Sequence, residues 1–211
     1  MQVSWFSAGV SSAVATKMLI DSIDQVFYIH IDDQHPDTLR FVRDCEEWFG
    51  KPIVTMRSEL GTVENACLMA GGKGYINGPA GAACTIRLKR RVRKGWERGQ
   101  KDWLAYIWGL DVNETDRRDK LLEAMPDVDH RFPLIEERMT KTEAHRILTA
   151  SGIKRPAMYD LGYQNNNCVG CIKGGAAYWN RILDELDPDA GRDKPPICGD
   201  CGIMCEIMAI E

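Results

Sequence analysis

The chain has 211 residues, 44% hydrophobic and 27% charged, with a net charge of −4. That size fits one domain with at most a small appendage, and it is long enough to bury a real core. The acidic balance excludes a global basic field for nucleic acid. No apolar run approaches the ~20 residues of a membrane span, and the N-terminus lacks the charged-then-apolar pattern of a secretory signal. The expectation is a cytoplasmic protein with no membrane association. Its eight cysteines then need a role other than structural disulfides, which a reducing compartment disfavours.

Residues 3–6 form a short apolar run that predicts a buried strand. Small residues follow at 7–12, and then Ala13, Val14, Ala15, Met18 and Leu19 trace a helical apolar face. A strand, a tight turn and a helix start make an anion site: the first-turn N–H groups lack intrahelical partners and sit at the positive end of the helix dipole. Ser7, Ser11 and Ser12 could add hydroxyl donors, and Gly9 supplies permissive backbone. An ordinary strand-to-helix turn is the plain alternative. The turn has neither the Gly-Lys-Ser/Thr of a Walker loop nor a dinucleotide GxGxxG.

This stretch resembles the pyrophosphate loop of the adenine-nucleotide alpha-hydrolase superfamily, SGGxDS followed by a helix. That group includes ATP pyrophosphatases, tRNA thiolation enzymes and adenylyl-sulfate reductases. Ala8 stands where the second small residue is usually Gly, and Ser11 where Asp is usual. The resemblance implies that Ser7, Ala8, Gly9, Ser11 and Ser12 hold an adenosine nucleotide. Loss of the acid at position 11 turns the reading away from ATP with magnesium and towards the sulfonucleotide reductases, whose loops are also altered.

Residues 25–31 are rich in β-branched and aromatic side chains and predict a second strand. Pro36 opens a helix that Gly50 closes, and residues 52–56 predict a third strand. Strands alternating with helices imply parallel βαβ units, with ligands beyond the carboxyl ends of the strands. The loops at Ser7 and Asp32 are therefore expected at one sheet edge. The sequence IDDQHPDT, residues 31–38, resembles the nucleotide-bordering DTGxxFPET stretch of the reductases. Asp32 and Asp33 are read as nucleotide contacts, against helix-capping acids in a solvated loop.

The stretch 71–83 is rich in glycine and alanine and reads as a mobile loop. It leads into Cys84, Arg87 and Lys89. The reductases carry a Cys-Cys pair here, followed by Arg and Lys; Ala83 replaces the first Cys, and the Lys falls one place later. Arg87 and Lys89 can hold phosphate or sulfate, the Arg by bidentate hydrogen bonds. For Arg90, Arg91, Arg93 and Lys94 a solvated basic helix face is the better reading. Residues 102–108 predict a fourth strand. Gly109, Glu114, Thr115 and Arg118 match the Gly and ESxxR element of the family, with Arg118 an anion ligand and Glu114 its polar support. A fifth strand is expected at 131–134. Thr140 and Glu143 have capping-box spacing at the start of a helix that Gly152 closes, which makes His145 a surface residue. Cys45 and Cys67 lie in helical patterns as buried fillers.

In the C-terminal part, residues 156–163 resemble the YDxGY segment that leads into a Cys-x-x-Cys pair in the reductases, here Cys168 and Cys171. A turn through Gly170 brings two thiols close, which suits a soft metal or cluster. Cys198 and Cys201 form a second Cys-x-x-Cys. Two readings stand side by side: a [4Fe–4S] cluster on Cys84, Cys168, Cys171 and Cys198, or zinc on Cys168, Cys171, Cys198 and Cys201. The segment 200–204 also resembles the ECGLH element whose Cys attacks sulfur. That match makes Cys201 a nucleophile; the alternative is Cys201 as a ligand with Cys205 free or resolving, and the two roles exclude each other.

Together these features predict a doubly wound α/β fold with a mainly parallel sheet. The expected division is a nucleotide domain at 1–155 and a cysteine-rich region at 156–211. The resemblance implies reduction of adenylyl sulfate or 3′-phosphoadenylyl sulfate, with Cys201, Arg87, Lys89 and Arg118 catalytic, Gly109 and Glu114 beside the nucleotide, and thioredoxin or glutaredoxin as reductant. Two alternatives stay open. One is an ATP-dependent sulfur or nucleotidyl transferase whose basic run at 87–98 holds nucleic acid. The other is a non-catalytic, metal-stapled nucleotide sensor. A homo-oligomer is compatible with all three.

Overall fold

The computed structural model describes residues 1–68, 74–101 and 104–186. Its centre is a five-stranded parallel sheet of β1 (Gln2–Phe6), β2 (Gln25–His30), β3 (Ile53–Arg57), β4 (Ala105–Ile107) and β5 (Asp129–Arg131), in the order β3-β2-β1-β4-β5. β1 pairs in parallel with β2 and β4, and β4 with β5. The reversal of strand order beside β1 is the topological switch of a doubly wound sheet, as expected from the alternating pattern.

β1 owes its central position to its side chains. Val3, Ser4 and Phe6 are all buried, as both faces of an interior parallel strand require. Trp5 stacks on Phe27 with ring centroids 5.1 Å apart. The strand's one buried polar member, Ser4, shares a 2.7 Å hydrogen bond with Thr16 of α1 (Val10–Met18). Thr16 in turn donates to the Ser12 carbonyl, so both buried hydroxyls are satisfied.

The described residues divide into two compact units, each drawn from separate segments: those within 1–29, 35–56 and 99–166 in the first, and those within 30–34, 57–98 and 167–186 in the second. Residues 156–166 thus belong with the first unit. The first unit contains the helices α1, α2 (Asp37–Phe49), α5 (Thr115–Ala124), α6 (Pro133–Glu136), α7 (Lys141–Ala150) and α8 (Ala157–Asp160). Its core joins Phe6, Val10, Val14, Tyr28, Phe41, Ile107, Leu134 and Leu148. The second holds α3 (Val63–Leu68), a π-helical segment (Thr85–Arg90), α4 (Arg91–Glu97) and α9 (Ala176–Leu186). A smaller core of Ile31, Val63, Ala66, Cys67, Ala83 and Leu88 serves it.

Three local expectations are corrected. The fifth strand ends at Arg131 rather than covering 131–134, because Pro133 starts α6 at a position that tolerates its missing N–H. The Glu136 carboxylate then accepts the Phe132 N–H at 2.9 Å and pairs with Arg131. Residues 74–82 are irregular but tied down: Tyr75 N–H donates to the Cys67 carbonyl, and Ala83 N–H to that of Ile76. His145 is half-buried rather than on the surface, its ring edge-on to that of Tyr159 with centroids 4.7 Å apart. The capping box on α7 forms as expected. Thr140 Oγ1 accepts the Glu143 N–H, and Glu143 accepts the Thr140 N–H.

Candidate functional site

The turn between β1 and α1 is built around one side chain. Ser12 Oγ accepts the N–H groups of Ser7 and Gly9 at 3.3 Å and the Ser7 hydroxyl at 2.9 Å, and it donates to the Gly9 carbonyl at 2.9 Å. Ser12 is therefore the knot of the turn rather than a hydroxyl facing outward, and it is buried. Ala8 adopts φ 57°, the left-handed region, with no side-chain exposure. This is the position where the resembled loop carries glycine; alanine holds it at a cost in backbone strain.

Two residues from the chain's far side fix the turn from outside. Asn166 Nδ2 donates to the Ala8 carbonyl at 2.7 Å, and the Tyr159 hydroxyl accepts the Val10 N–H at 3.3 Å. Burial pushes the Tyr159 phenol above its ordinary value, so it stays protonated and neutral beside the turn. After these bonds, the N–H groups of Ala8, Ser11 and Ser12 have no hydrogen-bond partner among the described residues. They lie at the start of a nine-residue helix with no acid in its first turn. Such a set of donors can hold one anionic group.

Gly109, just past β4, makes this geometry possible. A Cβ there would lie 2.3 Å from Ser12 Cα and 2.5 Å from Ser12 N, so the strand end approaches the helix start closer than any side chain allows. Beyond it, Glu114 accepts the Asp111 N–H at 3.2 Å and pairs with Arg117. The expectation that Glu114 supports Arg118 is corrected, since Arg118 pairs with its neighbour Asp119 at 2.8 Å. Both cations lie within about one helical turn of Glu114, and Arg117, the one at i+3, takes its carboxylate.

In the second unit, the two acids after β2 have distinct duties. Asp33 Oδ2 accepts the Val63 N–H at 2.6 Å and so caps α3, while burial raises its pKa above the ordinary value. Asp32 pairs with Arg57 and lies 3.6 Å from His30. Gly61, at φ 68°, leaves room for that carboxylate: a Cβ would stand 2.5 Å from Asp32 Oδ2. Arg87 Nη1 donates to the Ala66 carbonyl at 2.8 Å, with its guanidinium 5.6 Å from the Tyr75 ring centroid.

Among the described residues, the same unit holds four free thiols, Cys67, Cys84, Cys168 and Cys171. Cys67 is fully buried in its core, and Cys84 and Cys168 pack against that core. The segment carrying Cys168 and Cys171 is docked by its backbone. Cys168 pairs antiparallel with Gln34, and Val169 N–H donates to the Asp33 carbonyl at 2.8 Å. The Tyr178 hydroxyl closes the turn, donating to the Cys168 carbonyl at 2.6 Å and accepting the Cys171 N–H at 3.1 Å, with Gly170 at φ 76° between them. Burial pushes the Cys168 thiol up to about 12, against the opposing pull of Lys89. Burial and the neighbouring Cys84 push Cys67 to about 11. Cys84 is also raised by burial, with Thr85, Lys89 and Lys173 working against it.

Soft donors of this kind suit the expected cluster or zinc. However, among the described residues no three His, Cys, Asp or Glu side chains are arranged to hold a metal ion. Cys198, Cys201 and Cys205 lie outside the described residues.

Sequence reasoning picked out residues 7–12, Cys84, Arg87, Gly109 and the Cys168 pair. It missed the roles of Tyr159 and Asn166. Tyr159 carried a signal in the YDxGY likeness, whereas nothing in the run Asn165-Asn166-Asn167 singles out its middle member. The reading of Cys67 as a buried filler holds, since Cys67 is fully buried in the core of its unit.

No protein-family model matches the chain, and no curated protein matches it. Among solved structures, phosphoadenylyl-sulfate (PAPS) reductase from Candida auris, in a phosphate complex, aligns over 77% of this chain and 78% of its own. The TM-score is 0.53 and the identity 13%. The two chains share a fold. At that identity the likeness concerns the parallel sheet and its flanking helices, and the chemistry has to be argued from the residues above. Among the described residues no helix is long and apolar enough to cross a membrane.

Proposed function

We propose that this chain binds an adenosine nucleotide at the turn before α1 and carries out thiol-dependent reduction of a sulfonucleotide, adenylyl sulfate or its 3′-phosphorylated form. The observation that carries the reading is the trio of unpartnered N–H groups at Ala8, Ser11 and Ser12, held by the Ser12 knot. These donors suit the single phosphate of a sulfonucleotide. No acid stands at position 11 to bring in a magnesium ion for a pyrophosphate. The fold shared with a PAPS reductase supports the substrate class.

In this reading the Cys201 thiolate attacks the sulfonate sulfur. A sulfur–sulfur bond forms, the bridging oxygen–sulfur bond breaks, and the adenosine phosphate leaves. A dithiol protein of the thioredoxin or glutaredoxin class then displaces sulfite and is itself oxidised to a disulfide, supplying the two electrons that sulfur gains. Arg87, Lys89 and Arg118 are the cations assigned to the sulfonate charge. A cluster or zinc completed by Cys198 belongs to the same proposal, and iron, sulfide and zinc analysis of anaerobically purified protein reads it directly.

The test is anaerobic incubation with each sulfonucleotide and reduced thioredoxin. Sulfite release that is abolished in Cys201→Ser, with nucleotide binding retained, is expected. No sulfite from either substrate overturns the reaction. Tight binding of ATP with pyrophosphate release would replace it by nucleotidyl transfer.

A further inference from the structure

The π-helical segment and α4 run on without a break from Thr85 to Glu97, about 20 Å of helix. Between positions 87 and 98 the sequence has seven Arg and Lys and one acid, which leaves −10 on the remainder of a chain whose net charge is −4. So strong a local excess costs self-repulsion unless something offsets it. The acid, Glu97, is engaged with Arg93 at 3.0 Å. Lys89, Arg90, Arg91, Lys94 and Arg98 are exposed, and none has an acidic partner among the described residues.

These cations border a concavity. Arg87 and Arg91, four residues apart, line an open cleft of about 410 Å³ together with Arg57 and Ser58 from the end of β3, with Glu59 as its single acid. Lys94 and Arg98 continue the stripe at helical spacing. Arg57 already shares Asp32, and Arg87 is turned towards Ala66 and Tyr75. Both are thereby held in place as walls of the cleft, and the exposed cations line its approach.

We propose that this cleft and the basic stripe beside it bind the phosphodiester backbone of a nucleic acid. Five of the seven cations are arginines, whose planar forks match phosphate oxygens in pairs. A lipid headgroup surface is disfavoured because none of the large exposed hydrophobic residues among the described ones lies between 87 and 98, and a helix on a membrane needs an apolar face to dip into it. An acidic protein segment offers carboxylates without the regular charge spacing of a phosphate chain.

The experiment is fluorescence anisotropy of the full chain with labelled single-stranded DNA, RNA and duplex DNA of about 20 nucleotides. Engaging about four phosphates predicts that affinity falls roughly a hundredfold between about 50 and 200 mM salt. The charge reversal Arg90→Glu/Lys94→Glu/Arg98→Glu should weaken binding more than tenfold while leaving nucleotide binding and thermal melting unchanged. The wild-type salt dependence stands as an independent reading should that variant fail to fold. The tighter of the DNA and RNA arms identifies the natural partner. No binding at the low salt, binding untouched by charge reversal, displacement by equal-length polyglutamate at the same concentration, or binding of anionic vesicles in preference to nucleic acid would each overturn the proposal. None of these outcomes depends on sulfonucleotide reduction.

Discussion

At Gly109 a methyl group has nowhere to go, because the atoms it would meet are the backbone of Ser12 and not the end of a flexible chain. Gly109→Ala must push the start of α1 away from β4. Overpacking of this kind costs about 1–3 kcal/mol, and the displaced N–H groups of Ser11 and Ser12 should bind a nucleotide phosphate at least tenfold more weakly. Gly95 gives the opposite case. It lies within α4 at an ordinary φ, and a methyl added there would meet nothing within 4 Å, so Gly95→Ala should stabilise the chain by about 0.5–1 kcal/mol. Urea titration of both variants with calorimetry of nucleotide binding checks the pair. Equal effects would show that the close approach at Gly109 does not constrain the turn. The turn itself was legible in the small residues between an apolar strand and a helical face. The inward aim of Ser12 was not, since serine in a turn reads the same whether it bonds the backbone or a ligand. Ala8 was legible as a residue in a glycine position from the resembled loop, and its left-handed φ of 57° agrees.

Elements were most legible where a local signal and the tertiary fold agree. Gly50 ends α2 in the left-handed region at φ 64°, and the Thr140–Glu143 box starts α7, both as their sequence contexts demand. The fifth strand was displaced because an apolar run containing proline satisfies a strand pattern and a helix start equally, and here the Glu136 cap decides. His145 was misplaced because its neighbours on α7 specify a helix without saying what packs on it. Its burial against Tyr159, with Arg155 and Lys141 nearby, lowers its pKa from the ordinary 6.5. The folded state then binds the proton less readily than the unfolded chain. Stability is complete above pH 6.5 and is lost as the pH falls through that value, where the unfolded imidazole charges first. His145→Gln should flatten this dependence. Urea midpoints from about pH 8 down to pH 5 measure it. An equally steep decline in the variant would assign the acid sensitivity to another group, and not to Asp37: hydrogen bonds to Arg40 lower it from 3.8 to about 2, so its contribution is lost only below this pH range.

Across the whole molecule, the cysteines divide by unit and by reactivity. Cys45 sits in the core of the first unit, where burial pushes its thiol well above the ordinary cysteine value. Cys67 and Cys168, in the second, stand at about 11 and about 12. Spacing alone suggested that Cys168 and Cys171 act as a matched pair, yet their surroundings differ. Cys168, itself partly buried, packs against a core whose buried members lie more than sixty positions away in sequence, beyond the reach of any local pattern. At about pH 8 a free thiol is roughly one-quarter ionised, whereas pKa values of 11 and 12 leave about one part in a thousand and one in ten thousand. Since the thiolate is the reacting species, iodoacetamide should modify Cys67 and Cys168 in the native chain two to three orders of magnitude more slowly than after denaturation in urea. Cys45 should resist equally. Peptide mass spectrometry over a time course resolves each site. Labelling of Cys168 at the free-thiol rate in folded protein would mean that its sulfur is solvent-facing and ionised, and the second unit would then present Cys168, rather than a tail cysteine, as its readiest nucleophile.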